Sequence, residues 1–221
     1  MSTDSESMGE SCNLLFSYLG ENPGTWWLSS SRLKQAADTL RDNCWPEKRK
    51  HRDLKTATAD FRFGPVYMLL MGMAIEAALK AVLVAEHPEL IEPQGISKTL
   101  ATHHLRDLWA RAGLARPNSQ QRDSLLGRLE SFVVIFGRYP VPKSERSMDR
   151  AKGSCFHADP DFDDVTRLWV SLENQMKKAL PEAFNEDGAN RNGHLGISYP
   201  IRTGASNVSA STQSGENSRD K

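Results

Sequence analysis

The chain reads as an all-α protein, an up-and-down bundle of about five helices with polar tails at both ends. Three observations predict this. Apolar residues recur at helical spacing over five separate segments. No segment of useful length shows the alternation expected of a strand, and there is no internal repeat. The connections are short, which favours antiparallel neighbours. The sequence divides into a disordered start over 1–13, a helical domain over 14–184 and a disordered tail over 185–221. That tail is rich in Gly, Asn, Ser and Thr and has almost no bulky apolar residue after Ile201. It cannot bury enough surface to offset the entropy of ordering.

The first helix carries the stripe Leu33, Ala36, Ala37 and Leu40, after a serine run at Ser29 to Ser31 suited to capping. Pro46 closes it. A basic loop follows, Lys48-Arg49-Lys50-His51-Arg52, with Trp45 beside it as a ring that could stack on a base. The second helix is expected to begin near Pro65, a good first-turn residue. Its first turns are apolar on every face, so it is the central helix or packs on a partner chain as well. The third is short, with Thr102 as N-cap, Leu105, Leu108, Trp109 and Ala112 as the stripe, and Gly113 as C-cap. In the fourth, Leu125, Leu129, Phe132, Val133 and Phe136 share a face, and Pro140 and Pro142 end it. The fifth has Val165, Leu168, Trp169, Leu172, Met176, Ala179 and Leu180, with Asp159-Pro160 as cap and first turn. Asp161, Asp163 and Asp164 complement the dipole at its start, and Lys177 and Lys178 at its end.

Composition removes several function classes. Lys+Arg at 28 balance Asp+Glu at 28, so no global charge drives the chain toward nucleic acid or an anionic membrane; only a local patch could. Cys12, Cys44 and Cys155 are odd in number and widely spaced, which fits a reducing compartment. The acidic, polar start at Met1 to Glu6 lacks the pattern of a secretion signal, so a cytoplasmic location is expected. Val66 to Ala85 is apolar enough for a membrane span, but Glu76 and Lys80 near its middle would be expensive there. It is expected to be a buried core helix, with no membrane partner. Cys155, His157 and Asp159 are metal-ligand types on one loop, but no further ligands stand near. No Gly-rich phosphate loop, nucleophile elbow or HExxH is present, so no metal and no cofactor are expected.

What remains are polar groups set in apolar helical surroundings, costly to bury unless paired. Glu76 and Lys80 are four apart with the acid first, the better order for a helical ion pair. His103 and His104 are expected in the first turn of the third helix. Arg138 ends the fourth helix and is followed by Tyr139 and a proline-fixed turn. There it compensates the helix dipole, or presents its planar fork to a phosphate. Glu76, Lys80, His103, Arg138 and Tyr139 form the candidate polar cluster.

Three segments, taken in order, resemble the HEPN superfamily (higher eukaryotes and prokaryotes nucleotide-binding domains). They are Ala74-Ile75-Glu76-Ala77-Ala78-Leu79-Lys80, then His103-His104-Leu105-Arg106-Asp107-Leu108, then Arg138-Tyr139-Pro140, over roughly residues 60 to 180. The resemblance implies an all-α bundle that dimerises through its long helices. Many HEPN proteins are metal-independent RNases, toxins or defence effectors whose signature is Arg, a polar residue, a short spacer and His. Others are partners of small nucleotidyltransferases or simple binding modules. This chain departs from the catalytic signature, because no His follows Arg138 at the required distance. The nearest substitute is Arg150 with His157, at the long limit of the spacing and without the polar second residue.

Three functions are therefore expected in order. The first is a non-catalytic HEPN-like homodimer that binds a nucleotide, RNA or a protein partner, such as a nucleotidyltransferase-type protein. The second is a metal-independent endoribonuclease of toxin or defence type that uses Arg138 or Arg150 with His157. There His157 would handle protons in attack of a ribose 2′-hydroxyl, and the arginine would stabilise the developing phosphorane charge. The third is an all-α scaffold with no ligand.

Overall fold

The structure is a computed structural model that describes residue 16 and residues 18–45, 54–92, 95–115, 120–136 and 156–181. Helix α1, Pro23–Cys44, starts where Asn22 caps it: the side-chain oxygen accepts from Gly24 N at 2.9 Å, and Pro23 opens the first turn. The serine run therefore does not cap this helix but lies inside it. Ser30 is fully buried and donates to the carbonyl of Ala74 at 2.6 Å, a bond between helices. A hydroxyl in a helix interior reaches such a partner only when the neighbouring backbone comes close, which spacing along one segment cannot foretell.

Helix α2, Leu54–Glu86, begins well before Pro65, which lies in its interior. Proline there removes one backbone bond, so the expected start was reasonable locally. Packing overrides it: Gly64 is buried with the ring of Phe156 resting on its backbone, where an added Cβ would collide with the ring. After α2 come a 3₁₀ turn, Pro88–Leu90, and a two-residue antiparallel pair, β1 (Ile91–Glu92) and β2 (Gly95–Ile96), with Ile91 opposite Ile96. Nothing so short leaves an alternation in sequence.

The short helix α3, Lys98–Ala101, is capped by Ser97. The chain is then extended through Thr102 to His104, so α4, Leu105–Arg111, has His104 and not Thr102 at its N-cap position. Thr102 Oγ1 instead accepts from His104 N at 3.2 Å. The expected stripe holds: Leu105, Leu108, Trp109 and Ala112 are buried. Gly113 follows with φ 66°, the left-handed C-terminal position that favours glycine. Helix α5, Gln120–Ser131, runs into a π turn over Phe132–Phe136. Leu125, Leu126, Leu129, Phe132 and Val133 are buried. Helix α6, Ala158–Ala179, is preceded by His157 at the N-cap position, not by Asp159. The cap bond comes from beyond: Asp161 accepts from His157 N at 2.8 Å. Val165, Leu168, Trp169, Leu172 and Met176 are buried as expected, with Ala179 and Leu180 half-buried.

The described residues are predominantly helical, the all-α class that the periodicity predicts. α1 and α2 make the most extensive pairing and run antiparallel, Ser30 meeting Ala74 while Trp45 meets Tyr67. α6 runs parallel to α2, from Phe162 against Tyr67 to Gln175 against Glu86. Trp27 of α1 stacks on Trp169 of α6, ring centroids 5.5 Å apart. Trp45 contacts Tyr67, Phe156 and Phe162, so its ring belongs to an aromatic cluster of the core. The segment Arg62–Glu86 is long and apolar enough to cross a membrane, and 72% of its most apolar window is buried inside the fold. The tails 1–13 and 185–221 and the basic run at Lys48 to Arg52 lie outside the described residues, as do Arg138, Tyr139 and Arg150.

A Cβ at Gly72 would stand 2.6 Å from Val133 Cγ2 and 3.1 Å from the carbonyl oxygen of Leu129. Gly72→Ala should therefore lower stability by about 1–3 kcal/mol in urea unfolding, despite alanine's better helix propensity. Burial pushes the phenol of Tyr67 well above the ordinary tyrosine range. The folded state thus keeps a proton that the unfolded chain releases above a pH of about 10. This stabilisation is complete below that pH and is lost as pH rises through it. The alkaline fall in the urea midpoint should be shallower in Tyr67→Phe than in the parent.

Candidate functional site

Three carboxylates tie the helices together, and one of them organises residues expected from the sequence. Glu76 lies on α2 at the side facing the extended stretch 102–104. Its Oε1 accepts from Lys80 Nζ at 2.6 Å, one turn along the same helix. Nδ1 of His103 stands 3.0 Å from both Oε1 and Oε2. Side-chain exposure falls steeply across the cluster: 39% for His103, 12% for Glu76 and 7% for Lys80. The acid and the ammonium are thus buried as a neutral pair, and only the imidazole reaches solvent. Since an ionised carboxylate only accepts, the hydrogen in the contact belongs to His103 Nδ1.

The neighbouring histidine is held in the same manner by another helix. His104 Nδ1 stands 2.9 Å from Glu130 Oε1 on α5, while Glu130 Oε2 accepts from Leu105 N at 3.0 Å. One carboxylate thereby serves a ring and the first backbone amide of α4. Neither histidine sits in the first turn of α4, because α3 and its extended exit place both before it.

The third carboxylate is Asp161, nearly inaccessible. It receives both ends of the Arg128 guanidinium, at 2.6 and 2.7 Å, and the backbone amide of His157 at 2.8 Å. The two-pronged geometry fixes both position and angle between α5 and α6. His157 is held by its backbone; its side chain is exposed and makes no capping bond.

Of the expected site residues, Glu76, Lys80 and His103 come together. His157 stands apart from them, beside the aromatic cluster built on Tyr67, and about 13 Å of helix rise separates Tyr67 from Glu76. Glu130, Arg128 and Asp161 lie outside the site residues expected from the sequence. Glu130 carried a faint signal, a charge between Leu129 and Phe132 of the apolar stripe. The Arg128–Asp161 pair spans 33 positions and had none. Among the described residues, no group of three or more His, Cys, Asp and Glu is placed to hold a metal ion. Comparisons with protein-family models, curated proteins and solved structures find no match to this chain.

Removing one partner of the buried pair leaves the other charge stranded. Glu76→Ala should cost about 3–5 kcal/mol in chemical denaturation. Replacing both at once, as Glu76→Leu with Lys80→Met, should recover most of that loss.

Proposed function

We propose that this chain is a HEPN-like helical module that pairs with a second copy of itself and binds a nucleotide or RNA without cleaving it. The observation that carries the reading is the meeting of two of the three segments on which the resemblance rests. Residues 74–80 and 103–108 are joined through the Glu76 carboxylate, with His103 reaching solvent beside it. In the sequence the third segment, Arg138-Tyr139-Pro140, begins two positions after the end of the π turn, and Val133 of that turn packs at Gly72, one helical turn before Glu76. Arg138 is assigned the phosphate contact, through its two-pronged guanidinium. The absence of a His at the family's spacing after Arg138 supports a binding role over catalysis. For self-pairing, the support is a run of exposed apolar side chains on one face of α2: Phe63, Val66 and Met73.

Light scattering at micromolar concentration should give the mass of a dimer. Labelled total RNA in EDTA should be retained on a filter with the protein and stay intact. Arg138→Ala should weaken that retention by about tenfold, as expected for a lost charge-assisted hydrogen bond. RNA cleavage that disappears in His157→Ala would instead assign the metal-independent nuclease. Intact RNA that is never retained, with no nucleotide bound in equilibrium dialysis, would leave the ligand-free scaffold.

A further inference from the structure

We infer that His103 is the residue by which the site distinguishes RNA from DNA, its Nε2 accepting a hydrogen bond from a ribose 2′-hydroxyl. The inference rests on the nucleotide- or RNA-binding reading above and deepens it. Glu76 presents only acceptors, and Nδ1 of His103 stands 3.0 Å from each of its oxygens, so in the neutral ring the hydrogen is on Nδ1 and the lone pair on Nε2. The carboxylate cannot turn away to release it, because Lys80, almost wholly buried, holds Oε1 at 2.6 Å. The ring is therefore fixed at one edge by a buried ion pair and open at the other. Among the described residues, Nε2 has no hydrogen-bond partner.

A lone pair held in this way selects the chemistry of what it touches. A phosphodiester offers only acceptors, so it gains nothing at Nε2 of the neutral ring. The Lys80 ammonium that could have drawn a phosphate is already committed to Glu76. This point of the surface calls for a donor. Base amino groups are donors, but they vary with sequence. The donor that every ribonucleotide carries and no deoxyribonucleotide does is the 2′-hydroxyl.

The test uses the full chain at pH 8 with an RNA oligonucleotide and its DNA counterpart of matched sequence, read by fluorescence anisotropy. Imidazole ¹⁵N chemical shifts of the free protein report the tautomer independently. The parent should show the Nδ1–H form and bind RNA about 3- to 10-fold more tightly than DNA, which is what one net hydrogen bond contributes. His103→Ala, at a half-exposed position, should bring the two affinities together by weakening RNA alone. Glu76→Gln supplies the second arm. Lys80 would keep the amide oxygen, the amide NH₂ would face Nδ1, and the hydrogen would move to Nε2, where the ring could donate to the phosphate oxygens that both polymers carry, so DNA binding should rise and the RNA preference narrow while His103 remains. Equal binding of RNA and DNA by the parent would overturn the inference and leave the nucleic-acid reading standing. An Nε2–H form in the parent would do the same. Failure to bind either polymer would overturn the inference and the RNA reading together.

Discussion

The Glu76 carboxylate is the constraint on which the arrangement of this bundle turns. α2 is packed over most of its circumference, by α1 on one side and by α5, α6 and the π turn on others. A charge in such a helix is tolerable only if its counter-charge and hydrogen bonds travel with it. Lys80 supplies the counter-charge from the same helix, so the pair is neutral before any tertiary contact forms. The remaining acceptor capacity must then be met from outside α2, and the stretch leading into α4 meets it with His103. That single demand fixes where 102–104 can run across the face of α2. It thereby fixes where α4 begins.

The same device recurs at two further joints, where an apolar stripe alone would leave two helices free to slide. Glu130 of α5 takes the next histidine ring and the first amide of α4. Asp161 of α6 takes both prongs of Arg128 from α5 and the amide that precedes its own helix. Hydrophobic burial is non-directional and would accept several registers, whereas these bonds are angular and short. Between α1 and α2 the register is set differently, by Ser30 reaching the Ala74 carbonyl. Small residues make these approaches feasible. Gly64 lets the Phe156 ring lie on the α2 backbone, and Gly72 admits Val133 at the head of the π turn.

The parts of this structure that sequence reveals are those governed by periodicity. The stripes of α4 and α6 are legible in the sequence, as are Leu125, Leu129, Phe132 and Val133 of the fourth expected helix, and Gly113 is legible as a helix end because its left-handed backbone is a local requirement. Helix starts depart from the local signals at Ser29, Pro65, Thr102 and Asp159. Ahead of Ser29 stands a local signal of its own, Asn22 with Pro23; at Pro65 the helix runs on from Leu54; at Thr102 the preceding short helix and its extended exit take up the backbone; and at Asp159 the helix opens from His157, whose amide donates to Asp161. The Glu76–Lys80 half of the site was visible because its spacing is helical. That His103 would join it was anticipated only as membership of a cluster, since 27 positions separate the partners. Asp161 looked like one of three acids complementing a helix dipole, and nothing in its neighbours marked it as the partner of Arg128.

The exposure gradient across the site bears on whether His103 is there for stability or for contact. Glu76 and Lys80 are already neutral together, so His103 is not needed to cancel charge. A serine or asparagine could have donated to the same carboxylate at less cost in side-chain ordering. What an imidazole adds over either is a second nitrogen on the far edge of a rigid ring, whose character as donor or acceptor is decided by what the first nitrogen meets. Here the first meets a buried acceptor held by Lys80, and the second has no hydrogen-bond partner among the described residues. A ring whose inner edge is held by two hydrogen-bond distances of 3.0 Å while its side chain stays 39% exposed anchors α2 on one side and keeps a defined chemical identity on the other. Stability alone accounts for the first property and leaves the second unused.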